Sequence, residues 1–512
     1  MGQRVGSSNS TQEDYFTGGR SLRWFPIGLS IIATWTSAAA FVSAPGWVYQ
    51  DGLTAFIIII NIPLVMFFCS GVFVPFVYNL KITSVYQFVE MRFGEAARLL
   101  VAIGFLITST MLIGIMVLVP SLVLNALTGI SSLIISSIVL VLAVIYTVLG
   151  GIKAVIWTDV SQMAVLWIGG VVVFFLAING ADVSLADGMQ MVSAAGKLES
   201  LDFSWNWALN NGVWVSIIGY GIMHMQYFSS DQSQVQRLFT ARSMKDVKYS
   251  FWFSGVVLNT QFFIFMTLGL ILYVFYDAKE FSDPNTIMID FIVNYVPAGI
   301  FGIIISAVFA ASMAAIDSLL NSMTTVYVKD VHERWVLKGN GETASLPLSR
   351  LVTLGFGVGT AIFVYFMGDD PGSPLVALMG EYVTYLTGAM FGVFVMGMFS
   401  PRTNQLGACL GFIAGVVVVA IADASLDFDW GWKSPLGLLV TCAVAYLASA
   451  ISGWEARNIA AYTFAGQRRQ LLSEGRIKED GVYVLPGRFE KRSYILIAFF
   501  LLQFVFLLML EN

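Results

Sequence analysis

About thirteen apolar stretches recur along the chain, each close to the length a helix needs to cross a bilayer. A hydrocarbon core of about 30 Å takes roughly 20 apolar residues in an α-helix. Spans are predicted near 24–49, 53–79, 99–126, 131–150, 154–178, 213–230 and 250–276, then near 299–327, 349–367, 375–399, 405–423, 434–453 and 492–510. The fold class this implies is all-α integral membrane. Of 512 residues, 57% are hydrophobic and only 12% charged, whereas a soluble domain carries roughly 25% charged residues. The N-terminal twenty residues are polar with no apolar h-region, so no cleavable signal peptide is expected.

The charge distribution sets an expected orientation. With the N-terminus in the cytoplasm, 24 of the 27 Lys and Arg fall inside, among them Arg4, Arg98, Lys153, Arg237, Lys329, Lys338 and the cluster from Arg457 to Arg492. Only Lys197, Lys279 and Lys433 fall outside, and the outer loops are acidic (Asp182, Asp187, Glu199, Asp202; Asp369, Asp370). A wrong span count would scramble this asymmetry. The C-terminus then lies outside. The outer loop 179–212 carries Trp205 and Trp207, which suggests packing at the interface. The inner loop 454–491 reads as a polar linker ending in basic residues that can meet anionic headgroups. Residues 83–98 read as an amphipathic helix lying on the inner surface.

Several function classes are excluded. Cys69, Cys409 and Cys442 have no paired spacing, so neither a disulfide nor a metal site is implied. Two histidines cannot build a zinc centre. No nucleophile–base pair or phosphate loop points to an enzyme. The small formal charge of −5 points to no nucleic-acid partner.

Polar side chains inside spans default to function. Asp159 opens the fifth span in GGIKAVIWTDVSQ, and HMQYFSSDQSQVQR around the sixth carries His224, Gln226 and Asp231. Asp159 and Asp231 lie within a turn or two of the predicted cytoplasmic ends, where an interfacial position would explain them. Asp317 lies three turns from Lys329, about 18 Å at 1.5 Å per residue, too far to snorkel; it must face a partner, an ion or water. The first span, LSIIATWTSAAAFVSAPGW, and the sixth, with Gly219, Gly221 and Ser229-Ser230, are poor continuous helices. Broken helices are tolerated at membrane depth where the freed backbone lines a cavity. Because the broken spans are the first and the sixth, spans 1–5 and 6–10 read as an inverted repeat. The expected organisation is a cytoplasmic segment 1–23, a ten-helix core 24–400 (repeats 24–178 and 213–400), accessory helices 401–453, a cytoplasmic loop 454–491 and a final helix 492–512.

EDYFTGGRSL, GGIKAVIWTDVSQ, DQSQVQR and AASMAAIDSLLNS occur in one order and spacing that resembles the sodium/solute symporters, which include sugar, proline, sialic acid, iodide, monocarboxylate and multivitamin carriers. Members usually carry one more span before the first of these segments, and this chain begins where that span would end. The resemblance implies a LeuT-like fold and ion-coupled symport of a small polar solute, with Na⁺ or H⁺ as coupling ion and no other metal. The partners it implies are the solute and the bilayer, with no obligate protein. It puts the usual sodium site at Ala33 and Thr36 of the first span and Ala311, Ala314 and Ala315 of the eighth. The last two are hydroxyl residues in the family, and a methyl is no ligand. It puts a second ion site at Asp159, Asp317 and Ser318, and the solute pocket at Ser37, Ala39, Ala40, His224, Tyr227, Phe228, Gly380 and Glu381. DQSQVQR is closer to the iodide, monocarboxylate and vitamin branch, so an organic anion is the first expectation for the solute. A H⁺-coupled symporter and a transporter-like sensor without flux are the alternative readings.

Overall fold

The computed structural model describes residues 16–208, 212–337, 344–367, 374–455 and 460–511. Arg4, Lys338, Asp369, Asp370 and Arg457, and most of the segment 1–23, lie outside them. The described chain is almost wholly helical: α1 (Trp24–Trp35), α2 (Ala38–Asp51), α3 (Ile62–Phe68), α4 (Val74–Asn79), α5 (Tyr86–Phe93), α6 (Glu95–Thr128), α7 (Ser132–Gly180), α8 (Leu185–Ala194), α9 (Gly221–Ser230), α10 (Gln232–Phe239) and α11 (Met244–Phe275). There follow α12 (Pro284–Tyr295), α13 (Ala298–Val326), α14 (Leu346–Met367), α15 (Leu375–Phe399), α16 (Gln405–Ser425), α17 (Lys433–Ser452), α18 (Phe464–Ser473) and α19 (Tyr494–Glu511). The one sheet is a hairpin of β1 (Lys478–Glu479) and β2 (Val482–Tyr483).

Ten helical stretches among the described residues are long and apolar enough to cross a membrane. The three predicted spans that fall short of this test, the first, fourth and sixth, are those the chain breaks or bends. The fourth and fifth spans are one helix, α7, turned at Gly151, where φ is +66° and ψ is 174°. That backbone suits a residue without Cβ, so Gly150-Gly151 separates two spans without a loop. Pro45 does not end the first span. It sits inside α2, and Gly46 beside it is pressed against the Pro284 carbonyl that opens α12.

Two expectations need correction. Residues 83–98 are not one helix laid on the outside of the protein: α5 buries Tyr86, Phe88, Val89, Arg92 and Phe93, and Phe88 meets Phe76 and Phe394 edge-on. Residues 95–98 already belong to α6. Nor is 454–491 a plain linker. Its hairpin and α18 pack back on the helices, Glu490 pairs with buried Lys248 at 2.7 Å, and Phe489 stacks on Phe67 at 4.5 Å. The outer loop does pack, through Trp205 and Trp207 against Trp432.

The core gathers α1, α2, α9, α10, α13 and α15, with α7 packed along α13 and α1. α16 and α17 pack on α15, and the turn between them, Asp429–Trp432, docks on the start of the sixth span, Val215–Tyr220.

Candidate functional site

Two interruptions define the site. α1 stops at Trp35; Thr36 leaves helical geometry (φ −85°, ψ 89°), and Ser37 restarts α2 as its N-cap, its Oγ accepting from the Ala39 amide at 3.3 Å. The Ser37 amide turns to the Trp35 carbonyl at 3.2 Å, so the Ala33 carbonyl loses the amide a continuous helix would give it. In the sixth span α9 stops at Ser230, Asp231 is extended (φ −84°, ψ 130°), and its Oδ1 caps α10 by accepting from the Ser233 amide at 2.9 Å. β-branched and hydroxyl residues at the first break, and a capping aspartate at the second, favour ending a helix over continuing it.

Both breaks open on one cavity of about 940 Å³, its mouth included, between α1, α2, the second and third spans, α9, α11 and α15. Of the expected pocket residues, Ser37, Ala40, Tyr227 and Gly380 line it. Ala39, His224, Phe228 and Glu381 do not. His224 is fully buried behind Trp35, its Nδ1 2.7 Å from Asn61 Oδ1, and Phe228 packs on the Trp35 ring. Glu381 points away, 3.8 Å from Lys433 and half exposed. Gly380 is needed for a different reason from solute contact: a Cβ there would lie 2.4 Å from the Trp430 ring, which also stacks on Tyr220 at 4.7 Å. The cavity gains residues that motif matching did not supply, chiefly Thr34, Trp35, Thr108, Ser109, Gln226 and Asp231.

Beside the first break lies a buried polar cluster. Asp159 accepts from Ser30 Oγ at 2.5 Å, and Thr34 Oγ1 donates to Ser318 Oγ at 3.3 Å. Arg237 sits among them. Its Nε donates to Ser30 Oγ at 2.8 Å, its guanidinium also bonds Ser318 Oγ and the Ser233 carbonyl, and Nη2 stands 3.5 Å from Asp159 Oδ2. All four of Ser30, Asp159, Arg237 and Ser318 are fully buried, so Asp159 faces protein rather than headgroups. Asp159 and Ser318 are linked through Arg237, which bonds Ser318 and faces Asp159. Asp317 turns the other way: its Oδ1 accepts from Thr147 of the fourth span at 2.9 Å. Asp317 Oδ2 and Asp159 Oδ1 have no hydrogen-bond partner among the described residues.

Arg237 was hidden from sequence reasoning because it also fits the tally of cytoplasmic basic residues. The glutamines of the same motif tie α10 to its neighbours: Gln232 accepts from the Val85 amide at 2.8 Å, and Gln236 bonds Asn321 and Thr325 of α13 at 3.1 and 3.0 Å. At the usual sodium position Ala33, Ala311, Ala314 and Ala315 are all buried, and Thr36 Oγ1 accepts from Gln261 at 2.9 Å.

The profile of the Sodium:solute symporter family matches residues 15–415. A sodium/sialic acid symporter of Proteus mirabilis (strain HI4320) is 28% identical over 85% of this chain and 89% of its own length. The human sodium-coupled monocarboxylate transporter 1 is 28% identical over 81% and 68%. Among solved structures, a Na⁺-coupled sialic acid symporter in a substrate-bound outward-open state superposes with a TM-score of 0.79, at 25% identity over 89% of this chain and 96% of that one. A nucleobase-cation-symport-1 transporter at 14% identity and a TM-score of 0.54 shares the fold over 89% of this chain and 99% of that one.

Proposed function

The chain belongs to the Sodium:solute symporter family, and on that footing we propose that it carries a small solute across the membrane together with Na⁺ by alternating access. It is a multi-pass membrane transporter, not an enzyme, and its fold is LeuT-like. The observation that carries the reading is the pair of breaks, Thr36–Ser37 and Asp231, open to a single cavity. Half-helix ends and freed carbonyls at such breaks are where transporters of this architecture hold ions and solutes. One charge crossing 100 mV supplies about 2.3 kcal/mol toward uptake.

The donor sets favour one ion position over the other. At the usual position the free carbonyl of Ala33 and those of Thr36 and Ala311 are oxygen donors, but Ala314 and Ala315 offer methyl groups. One turn deeper, the Asp159 carboxylate and the hydroxyls of Ser30, Thr34 and Ser318 form a hard-oxygen set that suits Na⁺. Arg237 already neutralises Asp159 there, so Na⁺ binding at this set requires the guanidinium to withdraw. Asp317 supports a further coupling role. A buried carboxylate without a cationic partner must be neutralised by an ion or a proton, which is the observation favouring H⁺ as a second coupling ion. The basic residues at predicted inner loops support a cytoplasmic N-terminus, thirteen crossings and an outer C-terminus.

Reconstitution into liposomes with imposed Na⁺ or H⁺ gradients tests the reading. Solute uptake driven by a Na⁺ gradient is expected, and uptake of every solute independent of both gradients would overturn it.

A further inference from the structure

Away from the central cavity, an aromatic groove of about 500 Å³, its mouth included, opens where α1, α11 and α19 begin. Its walls are Trp24 of α1, Tyr249, Trp252 and Phe253 of α11, and Arg492 just before α19. Trp24 meets Phe25 and Phe253 edge-on at 5.5 and 5.6 Å, and Tyr249 lies 5.1 Å from Trp252. Phe25, Tyr494 and Ile495 are exposed, so apolar surface runs on out of the groove along the helices. Two cations flank the Tyr249 ring. Arg492 Nη1 donates to its hydroxyl at 2.6 Å, and Lys245 Nζ lies 5.7 Å from its centroid. Both are exposed, as are Arg23 before Trp24 and Lys491 before Arg492, and among the described residues none of these four stands in an ion pair. The carboxylates nearby are already occupied. Asp246, 3% exposed, accepts from the Trp24 amide at 3.0 Å and from Arg242 and Ser243 at 2.8 Å; Glu490 turns inward to buried Lys248 at 2.7 Å. The three helices start on the face predicted to be cytoplasmic. Trp and Tyr collect at a membrane–water interface, and clustered Lys and Arg on that side attract anionic headgroups. Arg492 uses one N–H on Tyr249, and a guanidinium has four more to give a phosphate. The groove therefore offers cations at its mouth and an apolar path for acyl chains, a pairing that a soluble anion would use only in part.

We propose that this groove binds one anionic phospholipid, with the headgroup phosphate between Arg492 and Lys245 and the glycerol and acyl chains against Trp24 and Phe253. The site is separate from the solute cavity, and its assignment does not depend on the symport reading. A zwitterionic lipid brings its own cation to the same place and gains less from the two basic side chains.

Native mass spectrometry of the delipidated protein in detergent tests this, with titrations of dioleoylphosphatidylglycerol, dioleoylphosphatidylcholine and glycerol phosphate. One phosphatidylglycerol is expected to be held about tenfold more tightly than phosphatidylcholine, as two cations beside a headgroup would give. It is also expected to raise the melting temperature where phosphatidylcholine does not. Arg492→Gln with Lys245→Gln should remove that preference and leave the lipid-free melting temperature unchanged. Arg469→Gln, which removes an exposed cation of α18 outside the groove, should keep it. Equal retention of the two lipids by the unmodified protein overturns the inference, whether or not the variants fold. So does a preference that survives the double substitution, binding of glycerol phosphate as tight as that of the lipid, or a protein that dimerises and retains neither lipid.

Discussion

Arg237 Nη2 stands 3.5 Å from Asp159 Oδ2, with both side chains fully buried and Ser30 Oγ bonded to both. The pair joins α10, which follows the break in the sixth span, to the fifth span, through a hydroxyl of the first. Removing one member of a buried pair strands the other charge, at about 3–5 kcal/mol. Asp159→Asn is therefore expected to lower the melting temperature in detergent, and Asp159→Asn with Arg237→Gln to recover most of the loss. Neither variant should regain normal Na⁺-dependent uptake, because both lack the carboxylate. Na⁺ dependence unchanged in Asp159→Asn would remove the ion site from this cluster.

Asp317 behaves differently because it has no such partner. Its Oδ2 is without a hydrogen bond among the described residues, and its Oδ1 takes only the Thr147 hydroxyl. Asp317→Asn keeps the Thr147 bond and removes the buried charge. It should leave stability unchanged or raise it by about 1–3 kcal/mol. Coupling should suffer instead. Uptake driven by imposed Na⁺ and H⁺ gradients is expected to show an altered ion dependence, and an unaltered one would mean that Asp317 carries no coupling ion.

These two acids also show what the sequence makes legible. Their presence inside apolar spans is visible from hydropathy alone, as are the helices and the weakness of the first and sixth spans. Which way each acid turns is not. The family resemblance puts Asp159 and Asp317 in one site, yet one meets Arg237 of the sixth span and the other Thr147 of the fourth. Those partners lie 78 and 170 residues away in the chain, and only tertiary packing pairs them. Glu381 failed for a related reason. The resemblance puts it in the pocket with Gly380, but adjacent residues on a helix point about 100° apart, and Glu381 turns to Lys433 instead. The amphipathic pattern of 83–98 marked a face that protein, not headgroups, covers.

The turn between α16 and α17 supplies a pH test. Asp429 accepts from the Tyr220 hydroxyl at 3.1 Å and the Gly431 amide at 2.8 Å, and is 7% exposed. Burial pushes its carboxyl up from 3.8 to about 6, against the lowering effect of those bonds and of Lys433. Between these two values the folded protein binds more protons than the unfolded chain, so stability falls as pH rises from about 4 to 6 and is level above. Thermal unfolding across that range should show the slope in the unmodified protein, and Asp429→Asn should flatten it. An equal slope in both would place the titration elsewhere.

Close approach at Gly380 gives a packing test. A Cβ there would fall 2.4 and 2.6 Å from Trp430 ring atoms, so Gly380→Ala must displace the indole that seats the α16–α17 turn on the core. Overpacking of this kind costs about 1–3 kcal/mol. Trp430→Leu makes room, so the double variant should be more stable than the sum of the two single effects predicts. A double-mutant cycle on melting temperatures measures this, and strict additivity would show that the two residues do not contact.

The alanines of α13 allow a gain rather than a loss. Ala314 and Ala315 are buried at 1% and 0% exposure, on the helix that packs against both halves of the first span. If the carbonyls of Ala33 and Thr36 still face them, a serine at each position adds the hydroxyl oxygens that the site lacks, for the volume of one atom apiece. Ala314→Ser with Ala315→Ser is then expected to lower the Na⁺ concentration for half-maximal uptake by several-fold and to steepen its Na⁺ dependence, as a second ion is engaged. Asp159→Asn in that background should retain the new component, because the two positions are separate. A doubly substituted protein that folds and transports with the original Na⁺ dependence would show that the first break no longer holds an ion.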